Sequence, residues 1–151
     1  MNDPHMPPQP LKLMGRAMRG FSRIADAALR DLGFATGQLP VLVSLKHSQT
    51  LSQAELARIA QVEQPSMAQL LNRMERDGLV QRVADPADKR SRLVSLTADA
   101  GERMPQARAV MQSLSQQALA GFTPEEVAQL TQLIGRLNQN IDRMGDAVDR
   151  L

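Results

Sequence analysis

The chain has 151 residues, which is enough for one domain with a sizeable hydrophobic core. It contains no cysteine, so disulfides, thiolate metal sites and cysteine-based redox sensing are excluded. Its formal net charge of +2 does not by itself predict a nucleic-acid partner, and it has no apolar run of about 18 or more residues that would predict a membrane span.

The first ten residues, MNDPHMPPQP, contain four prolines and predict a flexible arm over residues 1–10. They lack a basic segment followed by an apolar stretch, so no secretory signal is predicted and a cytoplasmic protein is expected. The histidines, His5 and His47, are far apart and have no partner at ligand spacing. We therefore expect no metal and no cofactor, and the histidine–carboxylate metal site is the disfavoured alternative.

A helix is predicted from Leu11 to Leu32, because apolar residues recur there at steps of three and four. Gly33 follows as its C-cap, and basic residues lie mostly off the apolar stripe, which is typical of a solvated face. Thr36 is expected to cap a second, short helix that ends at Leu45. A polar loop is predicted over residues 46–50.

Two more short helices are predicted in close succession. Ser52-Gln53-Ala54-Glu55 fits a capping box, and the helix that it starts should end near Ala60. After a tight turn, a helix from Pro65 to Asp77 is expected, with Gln64 as its cap. Two helices separated by so short a turn are typical of a helix-turn-helix.

The second of these helices has two chemically distinct faces. One face is apolar, with Met67, Leu70, Leu71 and Met74 at i, i+3, i+4 and i+7. The opposite face is rich in amide and guanidinium groups and poor in acids; its residues are Gln69, Asn72 and Arg76, with Ser66 and Arg73 beside them. Arg can bind guanine with two hydrogen bonds, and Gln or Asn can do the same on adenine. This face predicts contact with bases in a major groove, and the alternative is a solvated face, which more often alternates Glu and Lys.

A basic hairpin is predicted after this helix. Strands over residues 79–83 and 92–96 flank the turn Asp85-Pro86-Ala87-Asp88-Lys89-Arg90. An arginine on a short hairpin can contact a phosphate or enter a narrow minor groove. We expect Arg90 to meet DNA while Asp88 orients Arg90 or a nearby arginine; the alternative is a surface loop held by ion pairs with Asp85 and Asp88.

The C-terminal part of the chain predicts two long helices. Thr97 caps the first, and Pro105 should kink it near Met104. Thr123-Pro124-Glu125-Glu126 is a second capping box, and it starts a helix with a near-heptad apolar stripe. The stripe predicts a helical dimer interface; packing against the first helix of the same chain is an alternative that is compatible with it.

These elements predict a mainly α fold with a small β-wing, a winged helix-turn-helix whose N- and C-terminal helices form a dimerisation region. The winged helix-turn-helix would span residues 34–97, and the dimerisation region residues 11–32 and 98–151, in one structural domain overall. The sequence shows no nucleophile–base pair, no phosphate-binding glycine loop and no cluster of metal ligands, so it does not predict an enzyme.

The stretch from Leu51 to Thr97 resembles the signature region of the MarR (multiple antibiotic resistance regulator) family. The resemblance rests on ELA in the first helix of the motif, DGLVQR after the second, DPADKR at the hairpin turn and VSLT at the end of the hairpin. Thr36-Gly37-Gln38 and the long flanking helices extend it, more weakly, over most of the chain.

This resemblance implies a homodimeric DNA-binding regulator, usually a repressor of a pseudo-palindromic operator, that a small and often phenolic or aromatic acid releases from double-stranded DNA. The alternatives are a regulator without a ligand and a winged helix that acts through protein contacts. The expected DNA contacts are Gln64, Ser66, Gln69, Asn72, Arg73 and Arg76 on the helix, and Asp88, Lys89, Arg90 and Arg92 on the wing. By position, the candidate ligand-binding residues are Arg16, Met18, Arg19, Phe21 and His47.

Overall fold

The computed structural model describes residues 9–148, and the predicted arm over residues 1–10 lies outside them except for its last two residues. The longer helices are α1 (Pro10–Leu29), α2 (Leu39–Ser48), α3 (Gln53–Ala60), α4 (Gln64–Arg76), α5 (Ala98–Ala118) and α6 (Pro124–Val148). Short 3₁₀ turns span Arg30–Leu32 and Thr36–Gln38. The strands are β1 (Thr50–Ser52), β2 (Val80–Ala84) and β3 (Arg92–Leu96). The prediction of a mainly α fold with a small β-wing is confirmed.

The predicted C-cap glycine ends the 3₁₀ turn that follows α1 rather than α1 itself. Gly33 has a φ of +76°, in the left-handed region that side chains other than glycine rarely adopt. Arg103 of α5 donates from Nη1 to the carbonyl oxygen of Leu32 at 2.6 Å, and its guanidinium carbon lies 5.2 Å from the centre of the Phe34 ring. A Cβ added at Gly33 would lie 2.6 Å from that Nη1. The backbone conformation therefore favours glycine at this position, and a side chain here would also have to displace the end of the Arg103 side chain.

A carboxylate on α1 fixes the start of the next helical segment. The backbone N–H of Thr36 donates to Oδ1 of Asp26 at 2.7 Å. This backbone hydrogen bond is the main reason why the pKa of Asp26 lies below its ordinary value of 3.8, and the hydroxyl of Thr36 and the charge of Arg30 lower it further. The prediction that Thr36 caps α2 is wrong. Thr36 begins the 3₁₀ turn that precedes α2.

The prediction of a loop over residues 46–50 is wrong except at Gln49. α2 continues to Ser48, Gln49 takes a φ of +62°, and Thr50 begins β1. β1 pairs antiparallel with β3, with Thr50 opposite Ser95 and Ser52 opposite Leu93. Because the partner strand lies far along the sequence, no local pattern in residues 46–52 could predict this strand.

The two helices of the helix-turn-helix are confirmed, with one correction at a cap. Ser52 caps α3 through a capping box, in which Glu55 N–H donates to Ser52 Oγ at 3.2 Å and Ser52 N–H donates to Glu55 Oε2 at 2.8 Å. The bond from the Ser52 N–H lowers the pKa of Glu55 below its ordinary value of 4.5. The N-cap of α4 is Glu63 rather than Gln64, because Glu63 is extended and its carbonyl accepts from the N–H of Met67 at 3.0 Å.

The hydrophobic core is formed by the helix-turn-helix together with α1, α2, α5 and the strands β2 and β3. Met67, Leu71 and Met74 on one face of α4 are completely buried, and Leu70 packs partly buried at their edge. They join a cluster of buried residues drawn from the other elements, which includes Leu29, Leu42, Leu45, Leu56, Leu79, Val80 and Val94. Full burial of such side chains contributes roughly 1.5–3 kcal/mol each, so the predicted apolar face of α4 is the face that fixes the helix in place.

The small sheet has the strand order β1–β3–β2, with both pairings antiparallel. Thr97, just after β3, joins three elements through one hydroxyl. Its Oγ1 donates to the carbonyl of Gly78, at the end of α4, at 2.7 Å and accepts from the N–H of Ala100 in α5 at 3.2 Å. The predicted cap at Thr97 is therefore confirmed, and Pro105 lies within α5 without dividing it.

Contacts divide the chain into two compact units after Leu114, and α6 belongs to the second. α6 begins with the predicted capping box, in which Glu126 N–H donates to Thr123 Oγ1 at 3.2 Å and Thr123 N–H donates to Glu126 Oε2 at 2.9 Å. No residue of α6 is buried. Within residues 9–148, no helix is long and apolar enough to cross a membrane.

Candidate nucleic-acid interface

One side of α4 is exposed and carries all the helix residues that the sequence assigned to DNA. We call this side the outer face; its residues are Gln64, Ser66, Gln69, Asn72, Arg73 and Arg76, and all six are exposed. The opposite side of the same helix is anchored in the core through Met67, Leu71 and Met74. The helix therefore presents amide, hydroxyl and guanidinium groups on a rigid support. These groups can form hydrogen bonds with base edges and phosphates.

A residue to which the sequence analysis gave no role connects the outer face to the hairpin. Arg82, on β2, donates from Nη2 to Oδ1 of Asn72 at 2.7 Å. Its Nε also lies 3.1 Å from Oε2 of Glu75, as an ion pair without an aligned hydrogen bond. The only sequence signal for this arrangement is that Asn72 and Glu75 are three residues apart, and so lie one turn apart on a single side of α4.

The turn between β2 and β3, residues 85–91, is the tip of the wing. Asp88 Oδ1 accepts from the backbone N–H of Arg90 at 2.9 Å, and the Asp88 carbonyl accepts from the N–H of Ser91 at 3.0 Å. Asp85 Oδ1 likewise accepts from the N–H of Ala87 at 2.9 Å. The acids thus shape the turn through backbone hydrogen bonds, as short polar side chains do in Asx turns.

This geometry refines the expectation that Asp88 orients an arginine. Asp88 fixes the backbone of Arg90 and not its guanidinium group. The ion pairs of Arg82 with Glu75 and of Arg103 with Asp99 do not involve Lys89, Arg90 or Arg92. All three basic side chains are exposed, and they outnumber the two carboxylates of the turn, Asp85 and Asp88.

Three of the five candidate ligand residues line two neighbouring grooves on the first unit. An open, mainly apolar groove of about 640 Å³ is lined by Met18, Phe21, Leu39, Val43, Ile59 and Met111 together with small polar residues. A second groove, about 510 Å³, is lined by Arg19, Arg23 and Arg30 with Asp26, and it shares Met18 and Ser22 with the first. Of the predicted ligand residues, Met18, Phe21 and Arg19 line these grooves, and Arg16 and His47 line neither.

Comparison with known proteins gives the same result at the level of the family. Residues 31–91 match the model of the MarR family. An uncharacterized HTH-type transcriptional regulator, YybA, from Bacillus subtilis (strain 168) is 26% identical over 133 residues, which is 88% of this chain and 89% of the relative.

Solved structures agree with this match. A MarR mutant from E. coli, crystallised in complex with operator DNA, has a TM-score of 0.77 and 27% identity, and the alignment covers 83% of this chain and 91% of that chain. A putative MarR family transcriptional regulator from Listeria monocytogenes, complexed with a 26mer DNA, has a TM-score of 0.78 over 90% of both chains. At 24% identity, this second likeness supports the fold alone.

The B. subtilis and E. coli relatives are transcriptional regulators, which agrees with the expectation that the chain is not an enzyme. The matched segment contains the helix-turn-helix and most of the hairpin, and the likeness of fold extends over most of the chain. Residues 31–91 thus match the MarR family model, and most of the chain is similar to winged helix-turn-helix transcriptional regulators.

Proposed function

We propose that this chain is a sequence-specific DNA-binding repressor that acts as a homodimer on a pseudo-palindromic operator. The observation that carries the proposal is the outer face of α4, which is exposed, nearly free of acids and rich in amide and guanidinium groups. Glu75, the acid nearest to this face within α4, is paired with Arg82. The E. coli relative crystallised with operator DNA supports the same assignment.

In this proposal the two parts of the motif contribute different terms to binding. The outer face of α4 enters a major groove, where Gln, Asn and Arg side chains select bases. Lys89, Arg90 and Arg92 at the wing contact phosphates or the neighbouring minor groove, where narrow grooves favour arginine. Phosphate contacts position the protein and make its affinity dependent on salt, whereas base contacts supply the choice of sequence.

The homodimer is supported by the apolar stripe of α6. Its large apolar residues Leu130, Leu133, Ile141, Met144 and Val148 are all exposed in the single chain. A second copy would bury them at near-heptad spacing, as helices in dimers do. A two-fold pair would place the two α4 helices about one turn of DNA apart, on the order of 34 Å, which explains why a pseudo-palindromic site would be preferred.

Release by a small aromatic acid is part of the same proposal. The apolar groove has room for an aromatic ring, and the neighbouring groove offers Arg19, Arg23 and Arg30 to a carboxylate. Such a ligand would act only if it bound the DNA-incompetent arrangement of the dimer more tightly than the competent one. Thermal-shift measurements with a panel of phenolic acids test whether such a ligand binds. The matched aromatic compounds without the carboxylate are the controls.

DNA binding itself is tested with the region upstream of the protein's own gene. Fluorescence anisotropy at several salt concentrations should show log Kobs falling linearly with log salt, and a scrambled duplex of equal length should bind more weakly. Binding that is absent, insensitive to salt or equal on both duplexes would overturn the proposal.

A further inference from the structure

The hydrogen bond between Arg82 and Asn72 fixes how a side chain on the outer face of α4 is presented. An arginine guanidinium can only donate, so the atom of Asn72 that lies 2.7 Å from Nη2 is its carbonyl oxygen. The amide nitrogen is consequently on the other branch of the side chain. Asn72 is exposed, and no hydrogen bond from this nitrogen is present among residues 9–148. Its two N–H donors are therefore available to a partner.

The Arg82 side chain is itself held in place. It is mostly covered, with 27% of its side chain exposed, and its Nε lies 3.1 Å from the carboxylate of Glu75. The guanidinium makes one charge-assisted hydrogen bond, to the Asn72 carbonyl oxygen, and one ion pair, to Glu75. An isolated asparagine on a helix surface has two amide orientations of similar energy, whereas Arg82 favours one of them here.

We propose that Arg82 is a positioning residue for sequence recognition: it fixes the orientation of the Asn72 amide, so that the carbonyl oxygen lies on the side of the wing and the N–H donors lie on the other side. This inference rests on the proposed DNA-binding function and specifies one of its residues. A base edge presents donors and acceptors in a definite order, so an amide with a fixed orientation distinguishes bases that a freely turning amide would accept equally.

The consequence is a separation between affinity and specificity. A residue with only a structural role in the motif would, when lost, weaken binding to every duplex by a similar factor. Loss of Arg82 should instead relax the base preference at the single base pair that Asn72 contacts. Preferences at all other positions should remain, because the polar partners of Arg82 are Asn72 and Glu75 rather than the other proposed DNA contacts.

The test is a double-mutant series on the bound duplex, in which every base pair is substituted in turn. Asn72→Ala identifies the base pair that Asn72 contacts, where wild type should discriminate by about 5- to 150-fold, the range for one good amide–base contact. Arg82→Met, which keeps the aliphatic stem, should reduce discrimination at that base pair by about 5-fold or more. In the Asn72→Ala background, Arg82→Met should change nothing further at that position. Gln81→Met, at an exposed position of the same strand, is the matched control.

Arg82→Lys is a second variant that tests the same inference if Arg82→Met fails to fold. A lysine ammonium keeps the charge beside Glu75 but cannot span both partners, so it should relax the same base pair, and thermal unfolding reports whether each variant is folded. The inference is overturned if folded Arg82 variants keep full discrimination at the Asn72 base pair, if they weaken all duplexes equally, or if Asn72→Ala shows no selective loss. Wild-type protein that prefers no sequence would instead overturn the proposed function.

Discussion

α4 and α6 both carry regular apolar stripes, yet the two helices expose them to opposite extents. Met67, Leu71 and Met74 of α4 are completely buried, whereas Leu133 and Met144 of α6 are 51% and 67% exposed. Burial of the apolar face of α4 therefore stabilises the fold of the chain. The apolar stripe of α6 is largely exposed and contributes little to that stability. The same sequence pattern predicts an amphipathic helix in both cases. Only the burial of the apolar residues shows that α4 packs in the core and that the stripe of α6 is exposed.

The largest effect on stability is expected when one leucine in α4 is replaced by alanine and compared with the same replacement in α6. Leu71→Ala leaves a cavity in the core and should lower the free energy of unfolding by about 2–5 kcal/mol at every protein concentration. Leu133→Ala removes an exposed side chain, so it should act mainly by weakening self-association. Urea denaturation at several protein concentrations, together with sedimentation, separates the two. A loss for Leu133→Ala that matches that of Leu71→Ala at all concentrations would show that the stripe of α6 is buried within its own chain.

A smaller effect, confined to DNA, is expected at the wing. Arg90→Ala should lower DNA affinity by about 1–3 kcal/mol, the range for one good arginine contact, while self-association and folding stay unchanged. Arg108→Ala, at an exposed position of α5 outside the motif, serves as the charge-matched control. Anisotropy titrations measure the affinity and sedimentation the oligomeric state. Equal affinities for wild type and Arg90→Ala would place the wing tip away from DNA.

The smallest effect concerns the junction between α1 and the motif, and it depends on pH. Because the pKa of Asp26 is lowered in the folded chain, its contribution to stability is present above the ordinary value of 3.8 and is lost as the pH falls through the folded value. Wild type should therefore be more stable than Asp26→Asn near neutral pH, and the difference should shrink below pH 3.8. Thermal unfolding from pH 7 to pH 3 measures it, with Asp31→Asn as the control; a difference that stays constant across this range would contradict the assignment.

Features set by neighbouring residues were predictable from the sequence. The capping boxes at Ser52 and Thr123 and the apolar face of α4 each depend on residues within one or two turns, so the pattern contains the whole cause. The acid-poor outer face of α4 could be predicted for the same reason, since exposure on an amphipathic helix follows from the position of its apolar side.

Features that require distant segments to meet could not be predicted. β1 exists because Thr50 and Ser52 pair with β3, and nothing in its three residues indicates a strand. Arg82 reaches Asn72 only because β2 turns back beside α4, ten residues along the chain. Asp88 was correctly associated with Arg90, but whether a carboxylate binds a backbone N–H or a guanidinium depends on the exact turn geometry, which composition does not determine.

The hydroxyl of Thr97 limits how the motif can move. It contacts the end of α4 at the Gly78 carbonyl and the first turn of α5 at the Ala100 N–H, so one atom belongs to the boundary of both helices. A displacement of α5 that shifted its first turn would have to carry the end of α4 with it or break the bond to Gly78. In mechanical terms, α4 and the start of α5 share a pivot, and the orientation of α4 is not independent of the direction in which α5 begins.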